Sequence, residues 1–338
     1  MNRVSNLQFP AGNGQWQAVR APWKKMINGE HNVERALTKW HALDPILVST
    51  PTAKQFLPPV CIPELAQRVH QGMLKRQRSV LAITAAMTLA AFIAWLFGFD
   101  QGNFGPVVAA FLLIFIYLAV DYLFVLRDLD RTIDRTLFVS LAYQKGGRFA
   151  LSAAIVLFIA GLAQLILQNK LGGLVPLVNN FGALFAATES GEWWRYIVGP
   201  FIHANAIHWI SNMAMLLVAA GLSGIMGRSS ILCLIFLAVN VGSVLAVQYI
   251  GIGHRPDALL GVSGAIFGLF GWVVGALFRY RARFPHMWLT ITWFVCLNVG
   301  LAWILVKQTS NVAHISGFVM GLTLGLVGIG LRRNWETR

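Results

Sequence analysis

Gly261-Val262-Ser263-Gly264-Ala265-Ile266-Phe267-Gly268 opens an apolar run that continues to about residue 278, interrupted only by glycines. A run of that length is what a helix needs to cross the hydrocarbon core of a bilayer. Fifty-one residues beyond the serine, Ala313-His314-Ile315-Ser316-Gly317-Phe318-Val319-Met320-Gly321 opens another. A hydroxyl and an imidazole are costly in hydrocarbon unless they are paired or face a wet cavity, so both are functional candidates. If the two helices meet, a nucleophile meets a general base.

The rest of the chain sets these two runs in context. Of 338 residues, 57% are hydrophobic and 12% charged, about half the charge content of a soluble domain, which is about 25%. Eight apolar blocks read as membrane spans, at roughly 80–99, 106–126, 149–168, 204–223, 229–250, 262–278, 287–305 and 311–331. The fold class expected is therefore an all-α polytopic membrane protein. With an even number of spans, 23 of the 27 Lys and Arg fall on the segments that share a side with the N-terminus. That asymmetry places the N-terminus and C-terminus in the cytoplasm, and Ser263 near the outer end of the sixth span. It also accounts for most of the net charge of +14. No nucleic-acid partner is implied; the lipid bilayer is, and the basic N-terminal region can touch anionic headgroups.

No cleavable signal peptide is read, because the first apolar run begins near residue 80. Cys61, Cys233 and Cys296 are scattered, and His31, His41 and His70 lack metal-ligand spacing, so neither a disulfide nor a metal is expected. Four segments are expected: a cytoplasmic region 1–79; two spans with a charged linker, 80–148; a membrane domain, 149–331; and a short tail, 332–338. Region 1–79 reads either as a small domain or as a partly ordered tail, with a helix after Pro63 leading into the first span. Asp121 stands alone in the second span, either as part of a proton or substrate path or as an anchor reaching Arg127 or the interface.

The start of the fourth span carries His203, His208 and Asn212. His208 and Asn212 are four apart and share a helix face. His203 lies about 140° from His208 on a helix and is expected at the helix mouth, in a structural role. Neutral donors aimed at one spot are what an oxyanion requires. On the sixth span Gly264/Gly268 and Gly271/Gly275 form small-xxx-small pairs, and on the eighth Ala313, Gly317, Gly321 and Gly325 form a ladder. Such ladders allow helix backbones to approach closely. The G-x-S-x-G elbow of soluble hydrolases is absent, since Ala265 follows at its last position, and no acid offers itself as a third member. A Ser263–His314 dyad is the natural reading.

These residues resemble the signature of the rhomboid intramembrane serine proteases: H-x4-H-x3-N on one helix, G-x-S-G on another and A-H-x2-G-x3-G on a third. Here they are His203/His208/Asn212, Gly261/Ser263/Gly264 and Ala313/His314/Gly317/Gly321. Trp194-Arg195, in the long loop after the third span, resembles the family's W-R motif, and Asn311 matches another family position. The resemblance covers about 149–331 and implies a six-helix core preceded here by two additional spans. It implies Ser263 as nucleophile, His314 as base, and His208, Asn212 and the Ser263 N–H as oxyanion donors. Where relatives often place a tyrosine under the histidine, this chain has Phe267, which keeps the ring without the hydroxyl. The implied activity is a serine endopeptidase acting on transmembrane protein substrates without metal or cofactor, in a bacterial inner membrane. The alternatives are a non-catalytic relative that binds transmembrane clients, and a transporter whose Ser, His and Asn line a pore with Asp121 in a relay.

Overall fold

The computed structural model describes residues 14–20, 25–52, 56–97, 101–250, 256–282, 284–305 and 310–332. In chain order the strands are β1 (Gln17–Arg20), β2 (Lys25–Asn28), β3 (Ile46–Ser49), β4 (Ala183–Leu184) and β5 (Ala258–Leu259). The helices are α1 (Glu30–Leu37), α2 (Pro63–Leu96), α3 (Gln101–Arg127), α4 (Leu129–Leu141), α5 (Gly147–Leu171), α6 (Leu174–Phe181) and α7 (Phe185–Glu189). They continue as α8 (Arg195–Val198), α9 (Ala206–Met226), α10 (Ser229–Ile250), α11 (Ser263–Arg279), α12 (Met287–Leu305) and α13 (Asn311–Val327).

Each of the eight expected spans falls on a long apolar helix: α2, α3, α5 and α9 to α13. The chain is an all-α, multi-pass membrane protein. The first span is the second half of one 34-residue helix, α2, that starts at Pro63. Among the described residues, five of these helices have at least 18 residues and are apolar enough to cross a membrane; α11 and α13, at 17 residues each, and the stretch Met287–Leu301 of α12 are shorter. A 17-residue helix is about 26 Å long, still close to the thickness of the hydrocarbon core.

The chain divides into two units. The first takes the described residues up to 144 together with those of 281–309. Its polar end is a folded layer, which decides between the two readings of region 1–79 for the residues described. Strands pair antiparallel in the order β2-β1-β3. The fully buried Trp40 packs there with Val33, Ile46, Val48, Val69 and Met73. Arg76 of α2 fastens this layer by donating to the carbonyls of Thr38, at 2.7 Å, and of Trp40. Asp121 does not reach Arg127. It pairs with Arg135 of α4 in a two-pronged ion pair whose Nη1 arm is 3.0 Å long, with both side chains 13% exposed. A structural partner therefore accounts for the lone intramembrane acid.

The same unit holds α12, which the chain inserts between the helices of Ser263 and His314. Trp293 stacks on Tyr117 of α3 with ring centres 5.9 Å apart. Leu113 of α3 occupies the notch at Gly300. At the start of α12 the Asp134 carboxylate accepts the His286 N–H at 3.3 Å, and Asp128 lies 3.4 Å from the His286 ring.

The second unit takes the described residues of 145–280 and from 310 onward. At its centre is α11, buried from Gly264 to Leu277 and packed by α9, α10 and α13. A Cβ at Gly317 would run into the Gly264 carbonyl, at Gly321 into that of Gly268, and at Gly325 into that of Trp272. The two glycine-rich helices are therefore in backbone contact, as the ladders predict. The long loop after α5 folds as α6 to α8, and β4 pairs antiparallel with β5, the strand that leads to the serine.

Candidate functional site

The site is built where β5 turns into α11. Ala258–Leu259 pairs with Ala183–Leu184, and the Phe185 N–H donates to the Asp257 carbonyl at 3.0 Å. Gly261 then turns the chain with φ +92°. A side chain is excluded there twice over, by that conformation and by space. A Cβ would lie 2.6 Å from His208 Cε1, 2.7 Å from His208 Nε2 and 3.1 Å from Asn212 Nδ2. Two residues later Ser263 is the first residue of α11. A strand, a glycine turn and a helix thus carry this serine, although the sequence lacks the elbow motif of soluble hydrolases.

Ser263 and His314 meet. The Ser263 hydroxyl lies 2.8 Å from His314 Nε2, a hydrogen bond of ordinary length. His314 is in the first turn of α13, whose start is capped by the Ser310 hydroxyl accepting from the Ala313 N–H at 3.3 Å. Asn311 opens that helix. The Phe267 ring lies 4.4 Å from the imidazole, centre to centre, tilted 33°. On the other side of His314, Nδ1 is buried and has no hydrogen-bond partner among the described residues.

His208 and Asn212 stand on one face of α9, against Gly261. Asn205 caps that helix by accepting the His208 N–H at 2.9 Å. The Asn212 amide nitrogen is buried and unpartnered among the described residues. A buried donor left unpaired costs about 1–3 kcal/mol. His203 lies before the helix, as expected, and is buried. Its Nδ1 donates to the Phe201 carbonyl at 2.9 Å, and its ring meets that of His208 edge-on at 5.2 Å.

Gly264 lies where any side chain would strike Ser243 of α10. Trp194-Arg195 is not part of this cluster. Arg195 is buried and donates to Glu192 at 2.7 Å and to the carbonyls of Gly182 and Asn179 at 3.0 Å each. Its guanidinium also lies over the Trp194 ring at 4.9 Å. The pair fastens the loop between α5 and α9. Residues not singled out from sequence include Ser243 and Gln164.

This is the arrangement of a multi-pass membrane protein with a serine–histidine pair beside a buried amide that has no partner among the described residues. The family model for the Rhomboid domain matches residues 190–330. The putative rhomboid protease YdcA of Bacillus subtilis is 33% identical over 146 residues, 41% of this chain and 68% of that protein. The rhomboid protease GlpG of Haemophilus influenzae is 24% identical over 151 residues, 43% of this chain and 75% of that protein. RHOMBOID-like protein 5 of Arabidopsis thaliana is 29% identical over 171 residues, 48% of this chain and 54% of that protein. The chain belongs to the rhomboid family. It spans about half or less of the length of the plant relatives it matches. Because plant relatives stand beside the bacterial ones, the expectation of a bacterial inner membrane gains no support from them.

Proposed function

We propose that this chain is a serine endopeptidase that hydrolyses peptide bonds in or near transmembrane segments of membrane proteins, with Ser263 and His314 as its dyad. The observation that carries the reading is the 2.8 Å Ser263–His314 hydrogen bond with the unpaired Asn212 amide nearby. A hydroxyl and an imidazole in an apolar bundle are functional candidates, and here the two are paired with each other. The excess of Lys and Arg on the segments that share a side with the N-terminus supports cytoplasmic termini, and with them a Ser263 near the outer face, where water can enter.

In the first step Ser263 Oγ attacks the scissile carbonyl carbon while its proton passes to His314 Nε2. The carbonyl oxygen becomes an oxyanion that accepts from Asn212 Nδ2, from His208 and from the Ser263 N–H. The last of these is one of the free donors at the start of α11. His314 then gives its proton to the departing amine, the C–N bond breaks, and an ester to Ser263 remains. Water attacks that ester, giving its proton to His314, and the regenerated serine takes it back as the carboxylic product leaves. Phe267, against the imidazole, supports its transient positive charge through the face of the ring. A helical substrate must open locally, because its carbonyls are otherwise used within the helix.

The test is labelling with a serine-directed fluorophosphonate, paired with cleavage of a model transmembrane substrate. The wild type is expected to do both, and Ser263→Ala and His314→Ala neither. A correctly folded wild type that does neither would support a non-catalytic, client-binding protein instead.

A further inference from the structure

Gln164 is a polar side chain in the apolar α5, flanked by Leu162, Leu165 and Ile166, which are 44%, 62% and 58% exposed. An amide at such a position is costly unless both its ends are satisfied. Both ends are spent on the backbone of one residue. Gln164 Nε2 donates to the His203 carbonyl at 2.7 Å, and the His203 N–H donates back to Gln164 Oε1 at 2.9 Å.

The second of these bonds reaches the site. The His203 N–H and the Ile202 carbonyl belong to the same planar peptide group, so fixing one fixes the other. The Ile202 carbonyl accepts the Gly261 N–H at 2.8 Å. Gly261 in turn packs on His208 and Asn212, two residues before Ser263. A single peptide plane therefore transmits from Gln164 to the turn that carries the serine, and hydrogen bonds in such a chain reinforce one another. One turn back on α5, Gly161 makes room for Trp209, whose Nε1 donates to the Leu157 carbonyl at 3.2 Å. So α5 holds the chain on both sides of His208.

We infer that Gln164 is a positioning residue for the reaction, one that sets the Gly261 turn against the Asn212 donor through the Ile202–His203 peptide. The inference rests on the protease reading above. It does not place Gln164 in contact with substrate.

Gln164→Met keeps the shape of the side chain and removes both hydrogen bonds. Its fluorophosphonate labelling rate and kcat are expected to fall about tenfold, with KM within about twofold, since only alignment at the reacting atoms is disturbed. Coupling separates this from a packing role. In an Asn212→Ala background Gln164→Met is expected to cost less than about threefold, because the donor it aligns is already gone. Gln164→Glu keeps the acceptor for the His203 N–H and is expected to label within about threefold of wild type. Should Gln164→Met not fold, Gln164→Glu decides alone, and a tenfold loss in it overturns the inference. Wild-type labelling rates in Gln164→Met, or an undiminished effect in the Asn212→Ala background, also overturn it. A wild type that neither labels nor cleaves fails earlier, and overturns the protease reading itself.

Discussion

At the scale of single residues the site is legible in sequence to the extent that polar groups stand out against hydrocarbon. Ser263, His314, His208 and Asn212 were conspicuous for that reason, and the fold brings Ser263 to His314 and Asn212 to the Gly261 turn. Gln164 was equally anomalous, but nothing local distinguishes a glutamine that clamps a loop from one that satisfies its own helix. Its partner is 39 residues away, and only tertiary structure pairs them. The Asn212 amide gives the sharpest residue-scale expectation. Asn212→Ala removes a buried donor that has no partner among the described residues, so stability should not fall and can rise slightly as the desolvation cost disappears. Turnover should fall about a hundredfold or more, as when an oxyanion donor is lost from a soluble protease. Thermal unfolding measured beside kcat checks both halves; an unchanged kcat removes Asn212 from the oxyanion role.

At the scale of elements, the α11–α13 pair is what brings nucleophile and base together, and glycine is what lets the pair close. A Cβ at Gly321 would lie 2.6 Å from the Gly268 carbonyl carbon and 2.9 Å from its Cα, both backbone atoms that have no rotamer by which to yield. Gly321→Ala must push the helices apart. The expected cost is about 1–3 kcal/mol, the range for an overpacked core. It should also lower fluorophosphonate labelling at least tenfold, because His314 is two turns along the same helix. Ile315→Ala, at a position of α13 that is 60% exposed, serves as the control and should do neither. Normal labelling in Gly321→Ala would show that the dyad does not depend on the close approach. The ladder was readable because small residues at intervals of four have few other uses in a membrane helix. The partner of α12 was not readable. Its mean apolarity is high on every side, so no periodic face points to a neighbour, and Trp293 and Gly300 acquire meaning only from Tyr117 and Leu113.

At the scale of the whole molecule, sequence order and packing disagree, and the disagreement concerns α12. The helix lies between the serine helix and the histidine helix in the chain, yet it folds into the unit built by α2, α3 and α4. Within that unit the second additional N-terminal span, α3, supplies a packing surface for α12. The Asp121–Arg135 ion pair joins α3 to α4, and Asp134 of α4, with Asp128 just before that helix, holds His286, the residue that precedes α12. A chain lacking residues 1–144 loses every one of those contacts, including the acceptor for the His286 N–H. Helix ends without such partners fray, and the first turn of α12 should open to proteases. Trypsin cleavage at Arg281, just before α12, is expected to be at least tenfold faster in the truncated protein than in the full chain in the same detergent. The cleavage rate at Arg148, which precedes the apolar part of α5, corrects for any general loosening of the second unit. An unchanged ratio of the two rates would mean that α12 keeps its fold without α2 to α4.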